Sequence, residues 1–273
     1  NKKRVAFADG EDERALRAAQ MAIDEGIAVP ILIGRPAVIS ARAEKAGLRL
    51  RLGVDVENVN PEDDPRFRQY WEHYHELMGR NGYTPEMSKA AVRRSNTIIA
   101  SLMVSLGDAD AMLCGLVGTY ETHLERINSV LGLKPGVSNF AAVNAINTER
   151  GPLFIDDTFV NEEPSAQQLA EIAALAADEV ARFGIRPKVA FLSHSSFGSS
   201  KRASAKKMRL ARDLFVAAHP DVECDGEMQG DAALEPSIRT GFLPNSSLTG
   251  AANLLICPNL DAANILFNAL KTI

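Results

Sequence analysis

Two loops rich in small and hydroxyl residues follow short apolar runs, and both have the composition of a binding site for an anion. The first loop, residues 115–122, contains Gly118, which allows close backbone approach, and Thr119, which can cap a helix and donate to a phosphate oxygen. The second loop, residues 193–200, reads SHSSFGSS and is followed by a lysine and an arginine. Hydroxyl groups beside cations are typical of anion-binding loops. The alternatives are an ordinary strand-to-helix turn for the first loop and a flexible polar surface loop for the second.

Other reactive side chains favour no catalytic assignment. His194 lies among serines, but a serine–histidine nucleophile needs base, nucleophile and a third orienting group to meet in space, which sequence neighbours rarely do. Asp108 and Asp110 could form a metal-binding pair, although acids before a buried strand more often cap and turn the chain. His73 and His75 are two residues apart, so a helix would point them to different faces. We therefore assign no catalytic residue and predict no metal site.

Composition describes a cytoplasmic α/β protein. The 273 residues are 46% hydrophobic and 24% charged, enough for a sizeable core and about two domains. We expect no signal peptide, and the sequence has no apolar run of the roughly 20 residues that cross a bilayer, so no membrane partner is expected. A formal charge of -5 argues against nucleic acid as a partner. Three separated cysteines without a CxxC pair are expected to be buried thiols, namely Cys114, Cys224 and Cys257.

The elements that position the two loops alternate between strand and helix. Helices are predicted over 12–25, from 36 to a stop at Gly47, and from Thr84-Pro85 to Leu106. Strands are predicted at 5–8, 29–33 and 111–114. This alternation indicates a parallel sheet wrapped by helices.

The pattern changes after residue 131. Apolar runs at 140–146 and 153–155 flank a turn-like stretch and predict a hairpin, hence an antiparallel element on a mixed sheet. Ser165 with Gln168 is a capping-box signature for a helix, and strands are expected at 189–192 and 254–257. We expect one domain to comprise residues 1–131 and 259–273, and the other to comprise residues 132–258.

Four segments in a fixed order resemble the motifs of the phosphate acetyltransferase family, which moves an acetyl group between coenzyme A and phosphate. They are residues 105–124 (SLGDADAMLCGLVGTYETHL), 191–200 (FLSHSSFGSS), 225–233 (DGEMQGDAA) and 258–265 (PNLDAANI). The sequence Gly-Leu-Val-Gly-Thr-Tyr-Glu, with His194 and Phe197, is more similar to a variant of this family, the C-terminal domain of large bacterial NADP-dependent malic enzymes. The resemblance implies a two-domain fold like that of the isocitrate and isopropylmalate dehydrogenases.

The resemblance also implies acetyl-CoA as the ligand, bound between the domains. One wall would carry Thr119 and Tyr120, with Arg126 nearby. The other would carry the residues of the second loop, Ser193, His194, Ser195, Phe197 and Gly198. Asp261 is included from the last of the four segments.

Two substituted arginine positions favour a sensor of acetyl-CoA over a catalyst. Active members carry an arginine in a Leu-Arg-Lys-x-Lys-Gly-x-Thr stretch, where residues 77–84 here place Met78. A second arginine is expected where Glu125 stands, and Arg126 comes one residue late, about 100 degrees round a helix. Active members also have a later Ser-Arg pair and an aspartate proposed as general base; this sequence ends at Ile273, before that stretch, so the resemblance assigns no catalytic residue here.

The function implied by the resemblance is therefore regulatory. The catalytic malic enzyme domain would be a separate N-terminal part of the same polypeptide and would use NADP and a divalent metal for the oxidative decarboxylation of malate to pyruvate. The alternatives are a working phosphate acetyltransferase and a purely structural oligomerisation module. A homo-oligomer is expected, and the apolar stripe over 261–273 could face either its own core or a second copy.

Overall fold

A computed structural model describes residues 2–272 of the chain, which divides into two compact units, Asn1–Gly132 and Leu133–Ile273. Each unit is a sheet with helices on its faces, so the α/β class predicted from the alternating pattern is confirmed. The division falls next to Gly132, where glycine and proline begin to punctuate the sequence.

The first unit contains four parallel strands in the order β3-β2-β1-β4. The strands are β1 (Lys3–Phe7), β2 (Ala28–Ile33), β3 (Glu57–Val59) and β4 (Ala111–Leu113). The helices are α1 (Glu13–Asp24), α2 (Pro36–Lys45), α3 (Phe67–Met78), α4 (Pro85–Arg94), α5 (Asn96–Ser105) and α6 (Tyr120–Val130), with a short 3-10 turn at Gly79–Asn81.

Strand β2 is buried on both faces, as expected for a central parallel strand. Ile31 and Ile33 pack with Tyr70 and Leu102 on one face, whereas Leu32 packs with Leu16 on the other. The first loop leaves this sheet after β4, which pairs with β1.

The prediction of a single helix from Thr84 to Leu106 is wrong, because α4 and α5 meet at Ser95. Ser95 has an extended backbone, with φ -135° and ψ 102°, and its side chain accepts a hydrogen bond from the Ile98 amide. A serine that caps a new helix in this way competes with continuation of the old one. The predicted start of α4 is observed, since the Thr84 hydroxyl caps it and Pro85 is its first residue.

The second unit contains a mixed sheet in the order β5-β6-β9-β7-β8. The strands are β5 (Asn144–Thr148), β6 (Gly151–Asp156), β7 (Lys188–Leu192), β8 (Glu223–Met228) and β9 (Leu254–Ile256). The helices are α7 (Ala166–Arg182), α8 (Ala203–Ala218), α9 (Gly230–Leu234), α10 (Pro236–Phe242) and α11 (Leu260–Leu270). Strands β5 and β6 form the predicted antiparallel hairpin, while the other pairs are parallel. The capping box of Ser165 and Gln168 opens α7 as predicted.

Residues 259–272 lie in the second unit, which differs from the predicted return to the first domain. The reason is the packing of α11, in which Ala263 is fully buried in the same apolar cluster as Ile155 and Cys257. The α11 stripe thus faces the core of its own unit, although Ile265 on the same helix is 67% exposed. Residue 273, the last of the predicted stripe, is outside the described residues.

The carboxyl group of Asp156, at the end of β6, is buried in the core of the second unit, and one of its oxygens lacks a hydrogen bond within the described part of the chain. It is 1% exposed, and its Oδ1 atom has no hydrogen-bond partner among the described residues. Burial, followed by the neighbouring charge of Asp157, raises the pKa of Asp156 well above its usual value. The stability contributed by this group is therefore complete below the unfolded pKa of about 4 and is lost as pH rises through the raised pKa.

We expect Asp156→Asn, which stays neutral, to stabilise the second unit at about pH 8 but not at about pH 4. The gain should be about 1.4 kcal/mol for each pH unit over which the unfolded carboxyl is ionised and the folded one is still protonated. Chemical denaturation followed across this pH range measures the effect. The exposed Asp221 provides the control, since Asp221→Asn should change stability by less than about 0.5 kcal/mol. A gain of equal size at both ends of the range would contradict the assignment.

Candidate functional site

The second loop, residues 193–200, is called the serine loop and connects β7 to α8 at the carboxyl ends of the parallel strands. Open α/β sheets bind their ligands at this edge. Ser195 is 2% exposed, whereas His194, Gly198 and Ser199 are exposed. The loop therefore has an anchored side and a side that a ligand can reach.

Bonds within the serine loop hold its hydroxyl groups in place. The Ser195 and Ser199 hydroxyl oxygens are 3.0 Å apart, and the Ser200 amide donates to the Ser195 oxygen at 3.0 Å. His194 Nε2 lies 3.2 Å from the Ser200 hydroxyl, not from an adjacent serine. Among the described residues no carboxylate bonds to the His194 ring, so the orienting group of a catalytic triad is missing there.

A buried carboxylate under the loop, Glu227 of β8, was missed by the sequence interpretation. It is 0% exposed and accepts hydrogen bonds from the Ser195 hydroxyl at 2.9 Å and the Gly198 amide at 3.1 Å. Arg209 of α8 pairs with both of its oxygens, at 2.9 and 3.0 Å. Burial acts to raise the pKa of Glu227, but these hydrogen bonds, led by that of Arg209, lower it below its usual value. Glu227 is thus an anion in the folded protein at neutral pH.

Positive charge gathers directly after the serine loop. Six cations lie between residues 201 and 212, namely Lys201, Arg202, Lys206, Lys207, Arg209 and Arg212. The side chains of the first three are exposed, and they form no ion pair with any other part of the chain that the structure describes. The α8 N-terminus has no side-chain cap, so its first amide groups are available beside these cations. Both features favour an anion.

The first loop, residues 115–122, is tied to the sheet by Asp9. The Asp9 carboxylate accepts from the Gly115 and Leu116 amides at 2.9 and 3.0 Å. Thr119 caps α6 as predicted, since its side chain accepts from the Thr122 amide. Tyr120, the first residue of α6, is 45% exposed. Thr119 and Tyr120 belong to the first unit and the serine loop to the second.

His123 supports the first loop from beneath and was also missed by the sequence interpretation. Its Nε2 lies 2.7 Å from the Val117 carbonyl oxygen, and its Nδ1 lies 2.9 Å from the Thr97 hydroxyl. Because a carbonyl oxygen only accepts, Nε2 carries a proton, and in the neutral ring Nδ1 accepts from the Thr97 hydroxyl. Gly118, with φ +105°, fits above the ring, since a Cβ there would lie 3.1 Å from Nε2. Both residues therefore fix the loop shape.

Met78 and Glu125, the two departures from the family pattern, line one cleft of the first unit. The cleft measures about 550 Å³ and lies between the ends of α3 and α6. Its walls are Leu77, Met78, Asn81, Glu125, Asn128, Ser129, Val130, Leu131 and Gly132. Glu125 is the one charged side chain among these, and Arg126 does not contribute to the lining. The cleft therefore presents a negative charge and no cation.

Three aspartates considered as site residues from the sequence have structural roles. Asp108 accepts from the Tyr70 hydroxyl at 2.8 Å, and Asp110 pairs with Lys3 at 3.0 Å. Asp261 is exposed in the first turn of α11, where an acid complements the helix dipole.

Residues 2–272 show no metal centre. They contain no group of three or more histidine, cysteine or acidic side chains able to hold a metal. Of the three free thiols, Cys224 and Cys257 are buried as predicted, and Cys114 is partly exposed. No helix among the described residues is both long and apolar enough to cross a membrane.

Comparison with known proteins agrees with this architecture. The chain is 49% identical over 271 residues to the NAD-dependent malic enzyme of Rhizobium meliloti, covering 99% of this chain and 35% of that protein. It is 50% identical over 269 residues to the NADP-dependent malic enzyme of Salmonella typhimurium, covering 98% of this chain and 35% of that protein. The chain thus spans about a third of the length of these relatives.

The fold matches that of solved phosphotransacetylases. A phosphotransacetylase from Streptococcus pyogenes superposes with a TM-score of 0.89 at 30% identity, covering 99% of this chain and 82% of that chain. The sequence model described as phosphate acetyl/butaryl transferase matches residues 1–273, that is, the entire chain. The chain therefore belongs to the phosphate acetyl/butaryl transferase family.

Proposed function

We propose that this chain is the regulatory, acetyl-CoA-binding segment of a malic enzyme polypeptide and does not itself transfer acetyl groups. The identity of about 50% to malic enzymes, against 30% to a solved phosphotransacetylase, supports the first part. The oxidation of malate to pyruvate would belong to a catalytic domain outside this chain. That domain would also hold the nicotinamide nucleotide, proposed to be NADP, and a divalent metal. The relatives are named for NAD in one case and NADP in the other.

The cleft that contains Met78 and Glu125 carries the proposal that the domain is not a catalyst. Transfer of an acetyl group to phosphate needs cations that hold the substrate anion and the charge that develops in the transition state. The cleft has a carboxylate at one expected arginine position and a thioether at the other. A negative lining opposes phosphate entry, so the geometry favours a binding role over turnover.

The serine loop and the exposed cations around the start of α8 fit the chemistry of acetyl-CoA. This ligand carries a nucleotide diphosphate, a further phosphate and a chain of amides. Exposed cations and uncapped amides at the start of α8 suit the phosphates, and exposed polar groups of the loop suit the amide chain.

Regulation would follow if acetyl-CoA bound one conformer of the polypeptide more tightly than another, because only differential affinity shifts a population. Transmission to a separate catalytic domain requires contact, which we propose a homo-oligomer supplies.

The test measures binding and turnover on the same preparation. We expect calorimetry to detect acetyl-CoA binding, while a coupled assay with acetyl phosphate and coenzyme A detects no turnover. Turnover in the ordinary enzyme range of roughly 1 to 1000 per second would contradict the proposal and favour the phosphate acetyltransferase alternative. Absence of both binding and turnover would favour a structural module.

A charge-restored variant sharpens the test of the cleft. Met78→Arg combined with Glu125→Arg should increase affinity for acetyl phosphate, because two cations replace a thioether and a carboxylate. The control is Glu121→Arg, a charge reversal on the same helix at a position outside the cleft lining. Equal affinity in the charge-restored and control variants would show that the cleft does not exclude the anion.

A further inference from the structure

Glu227 bonds to several parts of the serine loop at once. Its carboxylate accepts from the Ser195 hydroxyl and the Gly198 amide, and its backbone carbonyl oxygen accepts from the Phe197 amide at 2.7 Å. One residue of β8 therefore holds three residues of the loop.

Arg209 provides a second anchor from α8. It pairs with both oxygens of Glu227, and its Nη2 also approaches the Ser200 carbonyl oxygen at 3.4 Å. The Glu227 side chain is 0% exposed and that of Arg209 is 33% exposed. Removal of one partner from a buried pair is costly, because the other charge is left without compensation.

The loop conformation needs such anchors. Phe197 has φ +48° and Gly198 has φ +89°, and Phe197 is the one non-glycine residue with positive φ among residues 2–272. A bulky side chain is rarely found in this region, and such a conformation persists only where surrounding contacts determine it. The amide groups of both residues donate to Glu227.

The geometry of β8 explains how Glu227 reaches the loop. In the parallel pair with β7, Phe191 lies opposite Gly226 and Leu192 lies opposite Met228, so the register shifts past Glu227. An irregularity of this kind changes the direction of a side chain and releases backbone groups from the hydrogen bonds between the strands. Both the carboxylate and the carbonyl oxygen of Glu227 are consequently used by the loop.

We propose that Glu227, together with Arg209, is a positioning residue that sets the serine loop in its acetyl-CoA-binding conformation. The inference deepens the proposed function and rests on it for the identity of the ligand. A loop already held in shape loses less conformational freedom on binding, which increases affinity.

The experiment compares Glu227→Ala and Glu227→Gln with a matched control on the same strand, Glu223→Gln. Glu223 also accepts hydrogen bonds, from Thr249, and pairs with Arg186, but it does not contact the serine loop. Three quantities are measured: the acetyl-CoA dissociation constant, the melting temperature and amide hydrogen exchange of residues 195–200 without ligand.

We expect Glu227→Ala to weaken acetyl-CoA binding by roughly tenfold or more. It should also speed exchange in residues 195–200 while α7 stays protected. Glu227→Gln, which keeps an acceptor oxygen but loses the charge, should restore part of the affinity. Glu223→Gln should change the dissociation constant less than about twofold even where it lowers the melting temperature.

Unchanged loop exchange in Glu227→Ala would overturn the inference, as would a loss of affinity that merely follows melting temperature across all three variants. If the parent chain binds no acetyl-CoA, the proposed function fails. In that case exchange of the unliganded loop alone decides whether Glu227 positions it. If Glu227→Ala does not fold, Glu227→Gln gives the same readouts.

Discussion

Replacement of Arg239 by methionine is expected to destabilise the second unit by about 4 kcal/mol, at roughly 1 kcal/mol for each hydrogen bond lost from a buried acceptor. Arg239 is fully buried on α10. Its Nη1 donates to the carbonyl oxygens of Ala232 and Ala233, and its Nη2 donates to those of Leu248 and Gly250. Four carbonyl oxygens from two chain segments would lose their donor together.

The matched control is Arg182→Met on α7 in the same unit. Arg182 is 62% exposed and pairs with Glu179 at the surface, an interaction worth at most about 1 kcal/mol. Chemical denaturation of both variants gives the comparison. Among the described residues no carboxylate lies within ion-pair distance of Arg239, so its polar contacts are the hydrogen bonds to carbonyl oxygens. If Arg239→Met destabilised the unit no more than Arg182→Met, these hydrogen bonds would contribute little to stability.

Gly226→Ala is expected to have the second large effect, because it changes the strand that delivers Glu227. Gly226 has φ +141°, and a Cβ there would lie 2.8 Å from the Phe191 carbonyl oxygen and 3.0 Å from the Phe191 Cβ. Backbone strain and overpacking each cost about 1 to 3 kcal/mol, so a loss of about 2 to 5 kcal/mol is expected. Displacement of β8 should also weaken acetyl-CoA binding.

Gly230→Ala is the control for this variant, since nothing lies within 4 Å of a Cβ at Gly230. That position opens α9, where alanine should be neutral or slightly stabilising. Calorimetry of unfolding and of acetyl-CoA binding on both variants measures the difference. Equal stability of the Gly226 and Gly230 variants would show that β7 moves aside without cost.

Features encoded locally could be predicted from the sequence. The Ser165–Gln168 pair, the Thr119 cap and the hairpin before Asp156 each depend on residues close together in the chain. The alternation of strands and helices likewise fixed the α/β class. The break at Ser95 was missed because no glycine or proline lies between α4 and α5, and only the serine cap separates them.

The missed site residues act over long sequence separations. Glu227 bonds to Ser195, 32 residues away, and His123 bonds to Thr97, 26 residues away. The hydrophobic periodicity of a sequence does not indicate contacts between residues so far apart in the chain. Strand β8 reads Glu-Cys-Asp-Gly-Glu-Met, with three acids in six residues, so its composition gave no signal that Glu227 lies in a buried strand. His123 likewise gave no signal in its polar helix.

The separation of Met78 from Glu125 illustrates the same limit. Each was identified by its departure from a family motif, but only the fold brings them to one cleft. The predicted helical offset of Arg126 is consistent with its absence from the lining.

The position of β9 in the second sheet has a consequence for synthesis. Strand β9 lies between β6 and β7, and its Leu255 pairs with Ile155, about 100 residues earlier. Until β9 leaves the ribosome, β6 and β7 each keep an open hydrogen-bonding edge, and open edges invite pairing with other chains. In the first unit β1 waits likewise for β4, since Val5 pairs with Ala111. We expect the first unit to fold first because it leaves the ribosome first, and the nascent form of each unit to expose an open strand edge that chaperones would need to shield.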